Sequence, residues 1–487
     1  MDSSMAQAPV ASGSATESPR PIDFAGAPRI PKRIAAVILN SLKGGVVPRI
    51  GLPYVTVGRE TEIRALLTDL DLIADGGASF RFLVGRYGAG KSFLLQTIRT
   101  HAMGENFVVA DADLSPERRL QGGQGQGLAT YRELIRNLST KTRPEGGALM
   151  LVLDRWVAAM RTPSADATAG DGASVDACPR DAGESNVHAF CASLEEMVHG
   201  YDFSRMLALY YRATVEGDDT ARGYVAKWLR GEYRTKTEAK NELGTTAIIT
   251  DENWYDYIKL LAAFLQGAGY RGLLVLIDEL VNLYKIPNAI SRQYNYEKIL
   301  QMYNDTLQGK ARHLGIIMGG TPTSIEDRRR GVFSYEALRS RLTQGRFARE
   351  GMRDMLAPII RLHPLSYEEL LILIEKLAQI HAGYFGYVPV LTEQDLVAFL
   401  TAEFGRVGAD SHLTPREVIR DFIELLDIAY QNPETSLSDL LGTAGMPAGR
   451  DDAEDGAPKT SGTASNPSLS STSATSRSEA EFAEFTL

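Results

Sequence analysis

The chain has 487 residues, of which 44% are hydrophobic and 23% charged, and its formal net charge is −9. That length allows about two to four domains with sizeable cores, and the acidic balance excludes a surface coated in basic charge for nucleic acid, though not a local basic patch. No apolar run approaches the roughly 18 residues of a membrane span, and the two cysteines, Cys178 and Cys191, support neither a disulfide framework nor a zinc site.

Met1 to Gly26 is rich in Ala, Ser and Pro and lacks the apolar core of a signal peptide. Residues 1–28 are therefore expected to be a disordered leader, and the protein cytoplasmic. Ile30, Ile34, Val37, Ile38 and Leu42 recur at helical spacing and predict a helix over 29–44, stopped by Gly44-Gly45. Residues 46–58 read as an extended lead-in. A second amphipathic helix is expected over 60–74, with Ile63, Leu66, Leu67, Leu70 and Ile73 on one face. The first sheet strand, over 80–84, runs directly into Gly85-Arg86-Tyr87-Gly88-Ala89-Gly90-Lys91-Ser92.

That octapeptide has the spacing of a phosphate-binding P-loop. Its glycines let the backbone wrap closely around phosphates, so that several N–H groups point inward. Lys91 supplies charge to the β- and γ-phosphates, the Ser92 hydroxyl is placed to hold Mg²⁺, and the following helix (Phe93, Leu94, Leu95, Ile98) adds its positive dipole end. The alternative is a Gly-rich turn with a solvated lysine; an apolar strand before the turn and an amphipathic helix after it weigh against that.

Phe107 to Asp111 reads as the next strand. Helical spacing then dominates 128–140, 149–160, 187–199, 203–215 and 220–231, interrupted by an Ala, Asp, Gly and Ser-rich stretch over 162–186 that is expected to be a disordered loop. A helix over 251–268 returns to the sheet. Leu273 to Ile277 is a continuous apolar run, as in a strand buried on both faces. A helix near 290–308, a strand over 313–318 and a strand near 357–363 follow. The division expected is N-terminal helices and the first part of a core over 29–127, a mainly helical insertion over 128–268, the second part of the core over 269–364, a helical lid over 365–432 and a disordered tail over 433–487. The fold class is α/β, a P-loop core with a mostly parallel sheet, and the ligand belongs at the carboxyl ends of its strands.

The buried strand ends in Asp278-Glu279. Asp278 is the candidate to hold Mg²⁺, directly or through water, and Glu279 the candidate to polarise the attacking water. The alternative is a pair of acids favoured by a helix dipole. A GTPase would more often place Asp-x-x-Gly here, and a kinase would lack the glutamate base. Thr321, after Gly319-Gly320, either orients the γ-phosphate or lytic water or is a plain turn residue. Arg339 and Arg341 are candidates to reach a γ-phosphate, from a neighbouring subunit if the protein assembles; a solvated helical face or a surface ion pair is the alternative. Arg416, near the start of a Pro-initiated helix, could reach back to the nucleotide. Gly58 and Arg59 close the segment that packs beside the base. With Gly85, Arg86, Tyr87, Gly88, Ala89, Gly90, Lys91, Ser92 and Phe93 they complete the candidate binding set. Eight arginines between Arg328 and Arg353 (328, 329, 330, 339, 341, 346, 349, 353) against Glu336 and Glu350 form the local basic patch, a candidate for DNA phosphates.

Taken in order, Val57-Gly58-Arg59-Glu60, the P-loop, Leu276-Ile277-Asp278-Glu279, Ser340-Arg341 and Pro415-Arg416 resemble the AAA+ ATPases over roughly residues 48–430. By that resemblance Arg341, with Arg339 as rival, matches the trans-acting arginine finger, Arg416 the lid arginine called sensor 2, and Thr321 the sensor 1 position. A narrower likeness is to the ATP-binding proteins of bacteriophage exclusion (BREX) loci, the BrxD-like family. It is carried by Val84 to Ser92, Asp113-Leu114-Ser115-Pro116, Arg330 to Arg339 and Leu413 to Glu417. It implies an ATP- and Mg²⁺-dependent ATPase in phage defence, a homo-oligomer acting with partner proteins on DNA, with no membrane role. ATP over GTP rests on this likeness. The stretch over 162–186 and the tail are not explained by it. The reading from a different class is a nucleotide-dependent signalling or scaffold ATPase, a STAND-like switch, whose helical insertion binds a partner. A metabolic kinase is a distant third, for want of a second substrate site with its own base.

Overall fold

The computed structural model describes residues 30–162, 179–343, 345, 354–388, 391–405, 413–435 and 440–441. Five strands, β1 (Ala78–Val84), β2 (Val108–Asp113), β3 (Leu273–Asp278), β4 (Leu314–Gly320) and β5 (Ile359–Arg361), make one sheet in the order β2-β3-β4-β1-β5. Every pairing is parallel. The apolar run at β3 is the reason this sheet can sit in the middle of the molecule. Leu273, Val275 and Ile277 face one core cluster and Leu274 and Leu276 the other, all at most 2% exposed. At about 1.5–3 kcal/mol for each fully buried side chain, such a strand is held from both faces.

Helices α3 (Glu60–Ala74) and α4 (Lys91–Gly104) cover one face. The other face is covered by α5 (Gln126–Arg136), α6 (Leu149–Arg161), α7 (Pro179–Glu195), α8 (Gly200–Glu216), α9 (Asp219–Leu229), α10 (Lys236–Leu243) and α11 (Trp254–Gly267), between β2 and β3. The helical insertion therefore merges with the sheet's own core. Its aromatic centre includes Trp156, Phe203, Trp228, Tyr257 and Phe264, all at most 1% exposed. After β3 come α12 (Val281–Tyr284) and α13 (Ala289–Leu307), and after β4 come α14 (Pro322–Glu326) and α15 (Glu336–Leu342). An ion pair is buried at the sheet: Arg81 on β1 pairs bidentately with Asp69, at 2.6 and 2.7 Å.

Three helices after β5, α16 (Tyr367–Phe385), α17 (Glu393–Phe404) and α18 (Pro415–Gln431), each open on a reciprocal capping box: Ser366 with Glu369, Thr392 with Asp395, Thr414 with Glu417. Each cap contributes about 1 kcal/mol and fixes where its helix begins. The N-terminal helix α1 (Lys32–Lys43) belongs to this group. Ala35, Ile38, Leu39 and Leu42 share one cluster with Leu370, Ile374, Val418 and Phe422.

Two expectations need correction. Residues 46–58 are not wholly extended, because Gly51, at φ 82°, turns the chain into a short helix, α2 (Leu52–Val55), with Pro53 in its first turn. The loop expected over 162–186 gives way to α7 from Pro179, a residue suited to a first helical position, and Val187, Cys191 and Leu194 anchor that helix in the core. Leu441 packs on the lid cluster. The leader over 1–28, most of the stretch 162–186 and the tail beyond 441 lie outside the described residues, as does Cys178. No helix among the described residues is long and apolar enough to cross a membrane.

Candidate functional site

Parallel register brings the strand ends to one edge. Val84 stands beside Gly320, and Asp113 beside Asp278. The loop leaving β1 is pinned at once, its Gly85 N–H donating to Gly320 O at 3.1 Å. It then turns through Gly88 and Gly90 at φ 75° and 91°, which side chains other than glycine rarely adopt. No side chain caps α4, so its first-turn N–H groups face the hollow of the loop. A Cβ on Gly90 would meet open space, whereas one on Gly88 would lie 2.7 Å from Thr414 Oγ1 at the lid.

Lys91 reaches back across this loop, and its Nζ donates to Gly85 O at 3.0 Å and Arg86 O at 2.9 Å. Burial lowers its pKa, Asp278 and Glu279 oppose that shift, and the charge of Arg416 adds to it. The Ser92 hydroxyl donates to Asp278 Oδ2 at 2.9 Å, and the Glu279 N–H to Asp278 Oδ1 at 2.8 Å. Glu279 is exposed and sits at φ 62°, a left-handed turn that costs a non-glycine residue about 1 kcal/mol. A hydroxyl and a carboxylate, with a second carboxylate beside them, form an all-oxygen set suited to Mg²⁺. Among the described residues no group of three or more His, Cys, Asp or Glu is gathered for a metal. The protein therefore offers part of a coordination shell, the arrangement Mg²⁺ takes when phosphates and water supply the rest.

Above the loop lies a cavity with two chemically distinct parts. Its lining has an apolar part, including Leu42, Val46, Val55, Leu365 and Ile419, and a polar part made by Arg59, Lys91, Ser92, Glu279 and Arg416 with the backbone of the loop. A ligand with a flat apolar end and an anionic end fits this division. Arg59 supports the loop, its Nη2 donating to Ala89 O at 3.1 Å. Gly58, at φ 64°, leaves no room for a side chain against Glu369 of α16, since a Cβ would lie 2.6 Å from Oε1. The Arg416 guanidinium sits 4.6 Å above the centre of the Tyr87 ring.

Other expected residues stand elsewhere. Thr321 follows Gly320 and caps α14, its Oγ1 accepting from Ser324 N at 3.2 Å. Arg341 bonds its own helix, Nη1 to Ala337 O at 2.7 Å, and Arg339 pairs with Glu336 at 3.5 Å; neither lines the cavity. In the basic patch, Arg330 packs its guanidinium on Tyr284 and leans to Ile286 O, while Arg328 and Arg329 are exposed. Arg346, Arg349 and Arg353 lie outside the described residues.

Two residues named in the sequence were given no role at the site. Asp113 ends β2 as Asp278 ends β3, and its pKa is raised by burial and then by the charges of Asp278 and Glu279. Gly319 gives Asp278 its space, for a Cβ there would clash with the carboxylate. The signal for both was the strand-end position, visible once β2, β3 and β4 were aligned. One family model, BREX system ATP-binding protein BrxC/D, matches residues 30–444. No curated protein sequence matches the chain.

Proposed function

The chain belongs to the BREX system ATP-binding protein BrxC/D family, and from that premise we propose that it binds ATP with Mg²⁺ and hydrolyses it as a motor or switch in phage defence, acting on DNA or a DNA-bound partner. The contact between the Ser92 hydroxyl and Asp278, at 2.9 Å, carries this reading. It brings the P-loop hydroxyl and the acid of the neighbouring strand to within reach of one ion.

In the proposed reaction the apolar end of the cavity takes the base, and the loop N–H groups take the phosphates. Lys91 exchanges the carbonyls of Gly85 and Arg86 for β- and γ-phosphate oxygens. A Mg²⁺ ion held by Ser92 and Asp278 would neutralise phosphate charge. Glu279, exposed at its left-handed turn, orients the attacking water and accepts its proton. Thr321 donates its hydroxyl to the γ-phosphate or the water, and Arg416 closes from the lid. Arg341, or Arg339, acts on the nucleotide of a neighbouring copy, so a homo-oligomer is part of the proposal. Arg328 and Arg329, exposed like Arg341 among the described residues of the basic patch, are the candidates for a DNA backbone.

Hydrolysis measured with and without DNA, together with molecular mass with and without a non-hydrolysable ATP analogue, tests this. DNA-stimulated turnover is the result expected of a motor. Nucleotide-dependent assembly without turnover would favour the signalling switch. Absence of both, in protein whose Lys91→Ala variant binds ATP equally well, would overturn the reading.

A further inference from the structure

Residue Tyr87 occupies the third position of the phosphate loop and is 71% exposed. One face of its ring carries the Arg416 guanidinium at 4.6 Å. The next residue, Gly88, abuts Thr414, so loop and lid helix meet at two successive points, 87 to 416 and 88 to 414. Behind Arg416 lies the Gly45 turn, where a Cβ would stand 3.7 Å from Arg416 Nε. Arg416 thus has a ring against its guanidinium and the Gly45 turn close to its Nε. It shares the polar end of the cavity with Lys91, whose ammonium it disfavours by like charge. The negative face of the ring offsets that repulsion for the arginine.

We propose that Tyr87 is a positioning residue for Arg416: its ring seats the lid arginine at the mouth of the cavity, and the terminal phosphate of a nucleoside triphosphate must draw the guanidinium away from it. Resting on the site reading above, this makes Tyr87 a determinant of triphosphate over diphosphate preference. A γ-phosphate beside Lys91 competes with the ring for the guanidinium, whereas a diphosphate ends one phosphate short of that competition. An exposed cation–π contact corresponds to about two- to fivefold in an equilibrium constant. Loss of the ring should tighten triphosphate binding by about that factor and leave the diphosphate unchanged.

The test uses the full chain with Mg²⁺ and measures dissociation constants for ADP and a non-hydrolysable ATP analogue. Tyr87→Leu is expected to tighten the analogue about two- to fivefold relative to ADP. Tyr87→Phe, which keeps the ring, should retain the wild-type ratio. In an Arg416→Ala background, Tyr87→Leu should change nothing, because the guanidinium it competes for is gone. Equal weakening of both nucleotides by Tyr87→Leu would show the ring touching the nucleotide itself and would overturn the proposal. The same shift in the presence and absence of Arg416, or no shift at all, would also overturn it. Wild-type protein that bound neither nucleotide would remove the site reading beneath it, an outcome distinct from unaltered binding in the Tyr87 variants.

Discussion

Asp113 and Asp278 end adjacent parallel strands, with Glu279 one residue further, so three carboxylates lie along one edge of the sheet without gathering into a metal cluster. Although Asp113 is exposed at its strand end, partial desolvation there, and then the charges of Asp278 and Glu279, raise its pKa, so folding makes its ionisation harder. The sign follows directly. The cost of ionising Asp113 is absent well below the ordinary carboxylate range, grows as pH rises through that range and is complete above the raised value. Asp113→Asn should therefore melt at a higher temperature than wild type in metal-free buffer at neutral pH. The gap should close on acidification toward about pH 4, the ordinary aspartate range. Equal midpoints at neutral pH would refute it. Residues set by local backbone demands were legible in the sequence: the glycines at 85, 88 and 90 are spaced by the turn they make, and Lys91 and Ser92 follow from it. Asp113, Gly319 and the Tyr87–Arg416 pair were not, because cross-strand register and contacts between distant segments create them.

The helices were largely legible, since burial on one face leaves a period, as at Leu66, Leu70 and Ile73 of α3. What periodicity does not carry is which neighbour an apolar face meets. Helix α1 looked like a prelude to the sheet, and it is built into the lid instead. Ile38, wholly buried there against the cluster of Leu370, Ile374 and Val418, joins the lid to the segment that carries Leu42 and Val46 into the cavity wall. Ile38→Ala should cost about 2–5 kcal/mol in chemical denaturation. It should also weaken ATP binding, because the apolar end of the cavity loosens with α1. Lost stability with unchanged nucleotide affinity would separate this helix from the site. Short elements such as α2 and α12 escaped the sequence because four residues are too few to show a period.

At the scale of the whole molecule, the described chain places Arg341 on α15, bonded to Ala337 and away from its own cavity. If that arginine serves catalysis, it must serve another copy. Arg341→Ala should then slow ATP hydrolysis roughly 10³-fold or more while leaving ATP affinity nearly intact. Mixing it with Glu279→Gln protein should restore part of the turnover, since each variant supplies what the other lacks. A mixture as inactive as its components, under conditions where subunits exchange, would withdraw the trans role. The α/β architecture and its nucleotide edge were legible from three short stretches, at 80–92, 273–279 and 313–321. The merging of the insertion with one sheet face was not, because a run of helices reads alike whether it stands apart or packs on strands.

The polypeptide crosses between sheet body and lid twice, once from α1 toward α3 and once from β5 into α16. A cap joined by one strap can swing anywhere; a cap joined by two is left with a hinge line through both. The first strap also holds Arg59, which grips the Ala89 carbonyl, and Thr56, whose carbonyl accepts from Lys376 of the lid at 2.8 Å. Torque on the lid is therefore delivered to the floor of the phosphate loop through the strap and its Arg59 hydrogen bond, a path that no ligand has to form.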